Sequence, residues 1–463
     1  MLEAIRDGRI SATIPKPNVV VPLAGLAFLA MATWLYHAAP GAYGHILQAL
    51  MLRPFPHPFI DWEFMPTAIT CWHKGVDVYQ DNTCYTPVPH GQFNYSPLWL
   101  RAWFLPDGRR WINLFGLGFG VAFFAALATL PSQRSLRDLS VTALASLSSL
   151  VTFAIERANV DIVIFLLAVL GGHLLTGRLF ARLGGYGAFL FAGLLKFYPL
   201  VLMVTVLRER LRTAIILGAL ALVIMAALAA SFQTELSHVG KAIPAGSYFT
   251  DLFGAVDLPY GLSQLITVAA GALGVGGYAA TVVLGHVLPV LLLGILFAGA
   301  LVCAVILSER HSVRAAFAAL PIREGGLLTV GAVLVCGCFF VGQSVGYRGI
   351  FLLLVLPGLL RLSHDAKSKT LRGIARHTCW AVVFVMWVLS LQWSFVAAGL
   401  ARETIAYDSP IGLVHWLLHE LAWWWIVTVL LSVLYSFMMD SAASRDLRAL
   451  AGNVARRRFG RTA

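Results

Sequence analysis

Apolar runs of roughly membrane-spanning length, each closed by a short basic or polar stretch, set the rhythm of this chain. Crossing a bilayer core takes about 20 apolar residues in a helix. Runs that read as spans fall at 18–38, 111–130, 138–155, 159–176, 184–195, 197–207, 211–231, 277–307, 326–342, 348–362, 377–399 and 413–437. The pair 184–195 and 197–207 is short for full crossings and predicts a kinked hairpin around Lys196 and Pro199. Helices enclosed by other helices need not reach full length. Segments 96–106 and 262–275 are apolar as well and are expected at the interface or re-entering. The fold class that follows is all-α, a single polytopic membrane domain over 1–463 with twelve crossings.

Composition supports this. Hydrophobic residues make up 59% of the chain and charged residues 12%, against about 25% charged in soluble proteins. Too little polar surface exists to cover a water-facing globule, so lipid must cover much of it. The 13 Trp and 28 Phe suit aromatic belts and packed membrane helices. A net charge of +12 raises nucleic acid as a partner, but the cations punctuate apolar runs as topology signals do. No nucleic-acid partner is expected. Residues 1–17 are polar and basic, no small-residue cleavage site follows the first apolar run, and 18–38 is expected to be a retained helix.

Twelve crossings put both termini on one side. Of the 34 Lys and Arg residues, 24 fall in loops assigned to that side, including Arg6, Arg9, Lys16 and the basic tail 438–463, and 10 on the other. The cation-rich side is expected to be cytoplasmic, in a cell inner membrane with the opposite, periplasmic face carrying any chemistry. Thirteen of the 22 acids fall on or near that outer face. Acids contribute little to topology, so their clustering asks for another reason. Two outer loops, about 39–110 and 232–262, are longer than plain connections need. The first is expected to hold short juxtamembrane helices.

The first outer loop carries most of the candidate chemistry. Asp61 precedes a predicted helix 62–74 and fits either an N-cap or a general base at the membrane surface. Glu63 fits a solvated first-turn acid, or a contact to acceptor or metal. His57, His73 and His90 share the loop without an assigned role. Asp77 and Asp81 would repel on one helix face, so a turn is expected near Gly75. Cys71 and Cys84 lie together in the loop, and an oxidising exterior permits a disulfide between them. The other four Cys, at 303, 336, 338 and 379, lie in apolar spans as small hydrophobes. The sequence requires no cofactor, contains no Cys-x-x-Cys or His-x-x-x-His zinc pattern, and leaves a divalent metal open.

Read together, Asp61-Trp62-Glu63-Phe64, Ala68, Gly75-Val76-Asp77-Val78-Tyr79 and Phe93-Asn94-Tyr95-Ser96-Pro97 form an ordered series. Arg157-Ala158-Asn159-Val160-Asp161, Lys196-Phe197-Tyr198-Pro199 and Tyr347-Arg348 follow. The series resembles the membrane-integral C-type glycosyltransferases, most closely the family 87 group of α-mannosyltransferase-like proteins. It departs from the family at Trp62-Glu63-Phe64, which stands where a Tyr-rich run is usual, and at Ala158-Asn159. The resemblance implies transfer of a hexose, mannose first among candidates, from a polyprenyl-phosphate donor to a lipid-linked or glycan hydroxyl, with inversion. It assigns the base role to Asp61. The expected partners are the bilayer, the polyprenyl-phosphate sugar and a glycolipid or glycan acceptor.

Such a transfer needs one base for the acceptor hydroxyl, and cations or N–H donors for the departing phosphate. Arg157, Lys196 and Arg348 are the candidate phosphate ligands, because a charge at the end of an apolar helix is costly without a partner. Each has a plainer reading: Arg157 pairing with Asp161 four residues on, Lys196 snorkelling with no acid nearby in sequence, and Arg348 serving as a topology charge. Tyr79, Tyr95, Asn159 and Asp161 are candidate substrate contacts, the tyrosines equally suited to packing. The alternative function is a polytopic transporter or lipid-linked-sugar flippase, which favours paired repeats and midplane charges; no repeat is visible.

Overall fold

The computed structural model describes residues 18–52, 55–85, 92–242, 248–249, 252–274, 282–401 and 409–459. His90, Asp251, Glu403 and Asp408, with the topology charges Arg6, Arg9, Lys16 and Arg461, lie outside them. The architecture is that of an all-α polytopic membrane protein. Among the described residues, seven helices are long and apolar enough to cross a membrane, or up to nine if two bent pairs each count as one span.

Helix α1 (Val20–Ala38) is followed by two short helices before the next candidate span, α2 (Pro40–Ala49) and α3 (Ile60–His73). Helix α3 ends where Gly75, with φ +84°, turns the chain, and a short 3-10 helix Pro97–Arg101 precedes α4 (Arg109–Ala128). The expected span at 138–155 is two helices, α5 (Leu136–Ser146) and α6 (Ser149–Arg157), bent by 42°. Ser148 causes the restart, its hydroxyl accepting from the Val151 amide at the new N-terminus. Helices α7 (Val160–Leu174) and α8 (Leu179–Leu195) follow.

The hairpin predicted at Lys196 is present. Helix α8 ends at Leu195, Lys196 is extended, and the chain returns as a 3-10 helix, Tyr198–Arg208, with Pro199 in its first turn. A 3-10 run of 11 residues is uncommon. Beyond it come α9 (Leu211–Ser231), α10 (Gln233–Ala242) and α11 (Asp257–Ala272). Then follow α12 (Leu288–Arg310), α13 (Val313–Ala318) and α14 (Ile322–Val341). A 3-10 turn Gly346–Phe351 leads into α15 (Leu352–Asp365). The span expected at 377–399 is also bent, by 56°, into α16 (Lys369–Met386) and α17 (Val388–Ala397). The long α18 (Pro410–Asp440) and the basic α19 (Ala442–Phe459) complete the described chain.

Helices α14 and α15 form the buried centre, enclosed by α7, α18 and the 3-10 helix. Gly331 lets them meet: a Cβ there would stand 3.1 Å from the Val355 backbone nitrogen. Two residue pairs, Leu252–Phe253 and Ser344–Val345, form a small antiparallel ladder that ties the 232–262 connection to the end of α14.

Cys71 and Cys84 are joined by a disulfide across a Cα–Cα distance of 5.8 Å. It staples the end of α3 to the loop that follows. Replacing both by Ser, or reducing the bond, is expected to cost about 2–4 kcal/mol of stability, read as a lowered unfolding midpoint in detergent under reducing conditions.

Candidate functional site

Phe59 begins the site. Its backbone is left-handed (φ 68°), and its amide donates to the Glu156 carbonyl at 2.7 Å. That contact ties the start of α3 to the end of α6. Asp61 is therefore not the N-cap considered from sequence; Phe59 holds that position, and Asp61 lies within the first turn.

The motif 157–161 spans a break between helices. Ala158 is left-handed (φ 48°), which ends α6 and frees Asn159 to cap α7. The Asn159 Oδ1 accepts from the Asp161 amide at 2.9 Å, while its Nδ2 donates to Asp61 Oδ2 at 2.6 Å. One side chain thus caps a helix and holds the candidate base.

The same break overturns the expected Arg157–Asp161 pair, which needs a continuous helix. Arg157 instead pairs with Glu156 at 3.1 Å, and its guanidinium lies 4.1 Å from the centre of the Phe55 ring. Asp161 turns the other way. Lys196 Nζ donates to its Oδ1 at 2.6 Å, Tyr198 donates to the same oxygen at 2.8 Å, and Arg348 Nε lies 3.6 Å from Oδ2. Lys196 thus has an acid partner that its sequence neighbourhood does not reveal. Asp161 is fully buried and serves both cations.

Aromatic rings wall the cluster. Lys196 Nζ lies 5.3 Å from the Tyr95 ring centre and 5.9 Å from that of Tyr347, and Arg348 lies 4.4 Å from the ring centre of Tyr198. Asp61, Tyr95, Lys196, Tyr347 and Arg348 all keep some accessible surface. Protein nonetheless crowds Asp61 closely enough for burial to dominate its titration. Together these facts describe a crevice with the carboxyl in its wall. Burial pushes the Asp61 carboxyl above its usual value. The Asn159 hydrogen bond and the charges of Arg157 and Lys196 pull it back, and Asp161 adds to the rise.

Two further candidates lie apart from this cluster. Glu63 faces Arg109 at 3.2 Å and His57 at 3.4 Å, so it is a paired acid rather than a solvated one. Tyr79 is buried between Trp72 and Phe93, and Phe93 in turn packs on Tyr95. Asp77 shapes that turn, accepting from the Tyr79 amide at 3.0 Å.

Sequence reading gave no role to Tyr198, Tyr347 or Glu156. Tyr198 and Tyr347 stand inside the quoted motifs, next to the cations they touch. Glu156 precedes Arg157, and only the left-handed turn after Arg157 shows what the pair does. A second buried polar group centres on Asp257, an acid of the second outer loop that nothing in the sequence singles out. Gln343 donates to Asp257 at 2.6 Å, and Trp423 donates to His419 Nε2 at 2.9 Å. Since the indole N–H only donates, His419 carries its proton on Nδ1, 3.2 Å from Glu420. Among the described residues, no group of three or more His, Cys, Asp or Glu side chains is arranged to hold a metal ion.

Comparison with known protein families, characterised proteins and solved structures finds no match to this chain.

Removing one member of a buried charge pair costs about 3–5 kcal/mol. Asp161→Asn is expected to lower thermal stability by that order, and adding Lys196→Met is expected to recover part of the loss. A double variant no more stable than Asp161→Asn would remove Asp161 as the cations' shared anchor. Asp257 supplies a second test. Burial, then the nearby Glu420, pushes its carboxyl from 3.8 up to about 8. The folded protein holds a proton there that the unfolded chain releases. The stabilisation is complete below 3.8 and is lost as pH rises through about 8. Asp257→Asn is expected to flatten that decline in midpoint-against-pH scans.

Proposed function

We propose that this protein is a glycosyltransferase of the membrane-integral C-type class, resembling the family 87 mannosyltransferase-like group. It moves a hexose, with mannose favoured, from a polyprenyl-phosphate carrier to a hydroxyl of a lipid-linked or glycan acceptor. One observation carries the reading. A crevice carboxylate, Asp61, is held by Asn159 beside a Lys196–Arg348 pair that shares a single buried acid.

The chemistry follows from that arrangement. Asp61 takes the acceptor hydroxyl proton as the oxygen attacks the anomeric carbon from the face opposite the phosphate. The bond from that carbon to the phosphate oxygen breaks, and the phosphate leaves with the electron pair. A phosphate dianion needs no proton to depart, only cations and N–H donors. Asp161 balances one of the two cations, and Asp61, which faces Lys196, loses its charge as it takes the proton, so one positive charge is freed as the phosphate departs. Arg157 acts on Asp61 through its field, favouring the ionised base. Tyr95 and Tyr347 flank Lys196 and offer faces for the sugar ring.

A lipid-borne donor also suits the surroundings. An apolar cavity of about 150 Å³ runs between α1, α2, α4 and α6, with Glu156 and Tyr43 at its polar side. Glu156 is the partner of Arg157, so the prenyl chain of the donor would lie within reach of the cluster. We take the three shorter apolar helices, 160–174, 179–195 and 198–208, as crossings beside the seven to nine longer candidates, which keeps the reading of twelve. In that topology both termini are cytoplasmic and the Asp61 crevice faces outward.

Asp61→Asn is expected to lower transfer from polyprenyl-phosphate mannose in membranes by about 10²–10⁴-fold, measured as labelled sugar in acceptor lipid. Wild-type transfer by the variant would remove the base assignment. The acid limb of kcat/KM is expected above 3.8, since burial raises the Asp61 carboxyl. Asn159→Ala deletes a bond that lowers it, so the limb is expected to move to still higher pH. A limb that stays in place would show that Asn159 does not tune the base.

A further inference from the structure

Arg208 closes the 3-10 helix whose other end adjoins Lys196. At about 2 Å per residue, the 11-residue helix sets the two ends roughly 20 Å apart. Beside Arg208 opens a cavity of about 450 Å³, bounded by Phe317 of α13, Ile322 of α14, Phe437 and Asp440 of α18, and Arg445 of α19. The Asp440 carboxylate is already engaged on both oxygens by Arg314, at 2.6 to 3.0 Å. Glu209, next to Arg208, is likewise held by Arg182 at 2.6 and 2.9 Å and by Tyr186 at 2.8 Å. Arg208 makes no hydrogen bond or ion pair among the described residues. Arg445 gives one N–H to the Asp440 carbonyl at 2.6 Å and keeps the others. Both neighbouring acids are occupied, and the cavity retains an excess of positive charge.

Its depth in the membrane follows from helix length. Helix α14 has 20 residues, about 30 Å at 1.5 Å each, which matches the hydrocarbon core. Its first residue, Ile322, lines the cavity, and α18 reaches the same cavity with its last turn. The cavity therefore lies at headgroup level, with apolar Phe317, Ile322 and Phe437 on its walls. The N-terminus of α14 adds amides with no side-chain cap.

We propose that this cavity binds an anionic membrane phospholipid, its phosphate paired with Arg208 and Arg445 and its upper acyl chains against the three apolar side chains. Basic pockets between membrane helices take anionic headgroups in this way. Soluble phosphate would satisfy the cations but not the apolar walls. The site is separate from the Asp61 crevice and does not rest on the proposed transfer reaction.

The test is native mass spectrometry of the full chain, after equilibration with equimolar phosphatidylglycerol and phosphatidylcholine. The wild type is expected to retain phosphatidylglycerol preferentially. Each neutralised arginine is expected to reduce the retained ratio about fivefold, so Arg208→Gln with Arg445→Gln brings it close to parity, while Arg208→Lys keeps most of it. Equal retention of the two lipids by wild type overturns the proposal, and that arm stands even if the double variant does not fold. A double variant with undiminished preference overturns it too. Stripping of the lipid by excess inorganic phosphate would assign the site to a soluble anion instead.

Discussion

A single carboxylate organises the polar interior of this protein. Asp161 is fully buried, yet it meets Lys196 and Tyr198 from one segment of the chain and Arg348 from another. Two cations among apolar helices are costly without a counter-ion. Asp161 offsets that cost from the first turn of α7, where the helix dipole also favours negative charge. Asp161 alone does not balance both cations, so the charge left over is met by Asp61 when that carboxylate is ionised and is free for an anion when Asp61 is protonated.

The acid is placed by a backbone irregularity rather than by helix periodicity. The left-handed Ala158 separates α6 from α7 and sends Arg157 and Asp161 in different directions. Arg157 stays with Glu156 and Phe55, close enough to bias Asp61, and Asp161 goes to the paired cations. Asn159 joins the two halves by bonding to α7 with one amide atom and to Asp61 with the other. Changes at Asn159 therefore act on helix capping and on the carboxyl of Asp61 together.

The bundle separates two kinds of charge chemistry along its length. At one end of the 3-10 helix the cations are matched against a buried acid within an aromatic crevice. At the other, Arg208 and Arg445 border an open cavity whose neighbouring acids are already engaged. The long 3-10 helix and α14 pack together between these ends, and α14 is buried through most of its length.

The sequence by itself determined the membrane character, the all-α class and the approximate place of nearly every apolar helix. Hydrophobic runs of membrane length admit few other structures, since backbone groups in lipid must be satisfied within the segment. It also made the Lys196 hairpin legible, through a proline and a charge between two short runs, and it brought Cys71 and Cys84 into one loop. Local spacing misled at Asp61, which is not a cap, and at Arg157 and Asp161, whose four-residue separation holds a pair only in an unbroken helix. Tertiary structure alone decided that Lys196 has an acid partner 35 residues away, that Arg348 shares it, and that Asn159 holds Asp61 across 98 residues. Such partnerships depend on how helices pack and where the backbone breaks, and neither is written in the periodicity of a single segment.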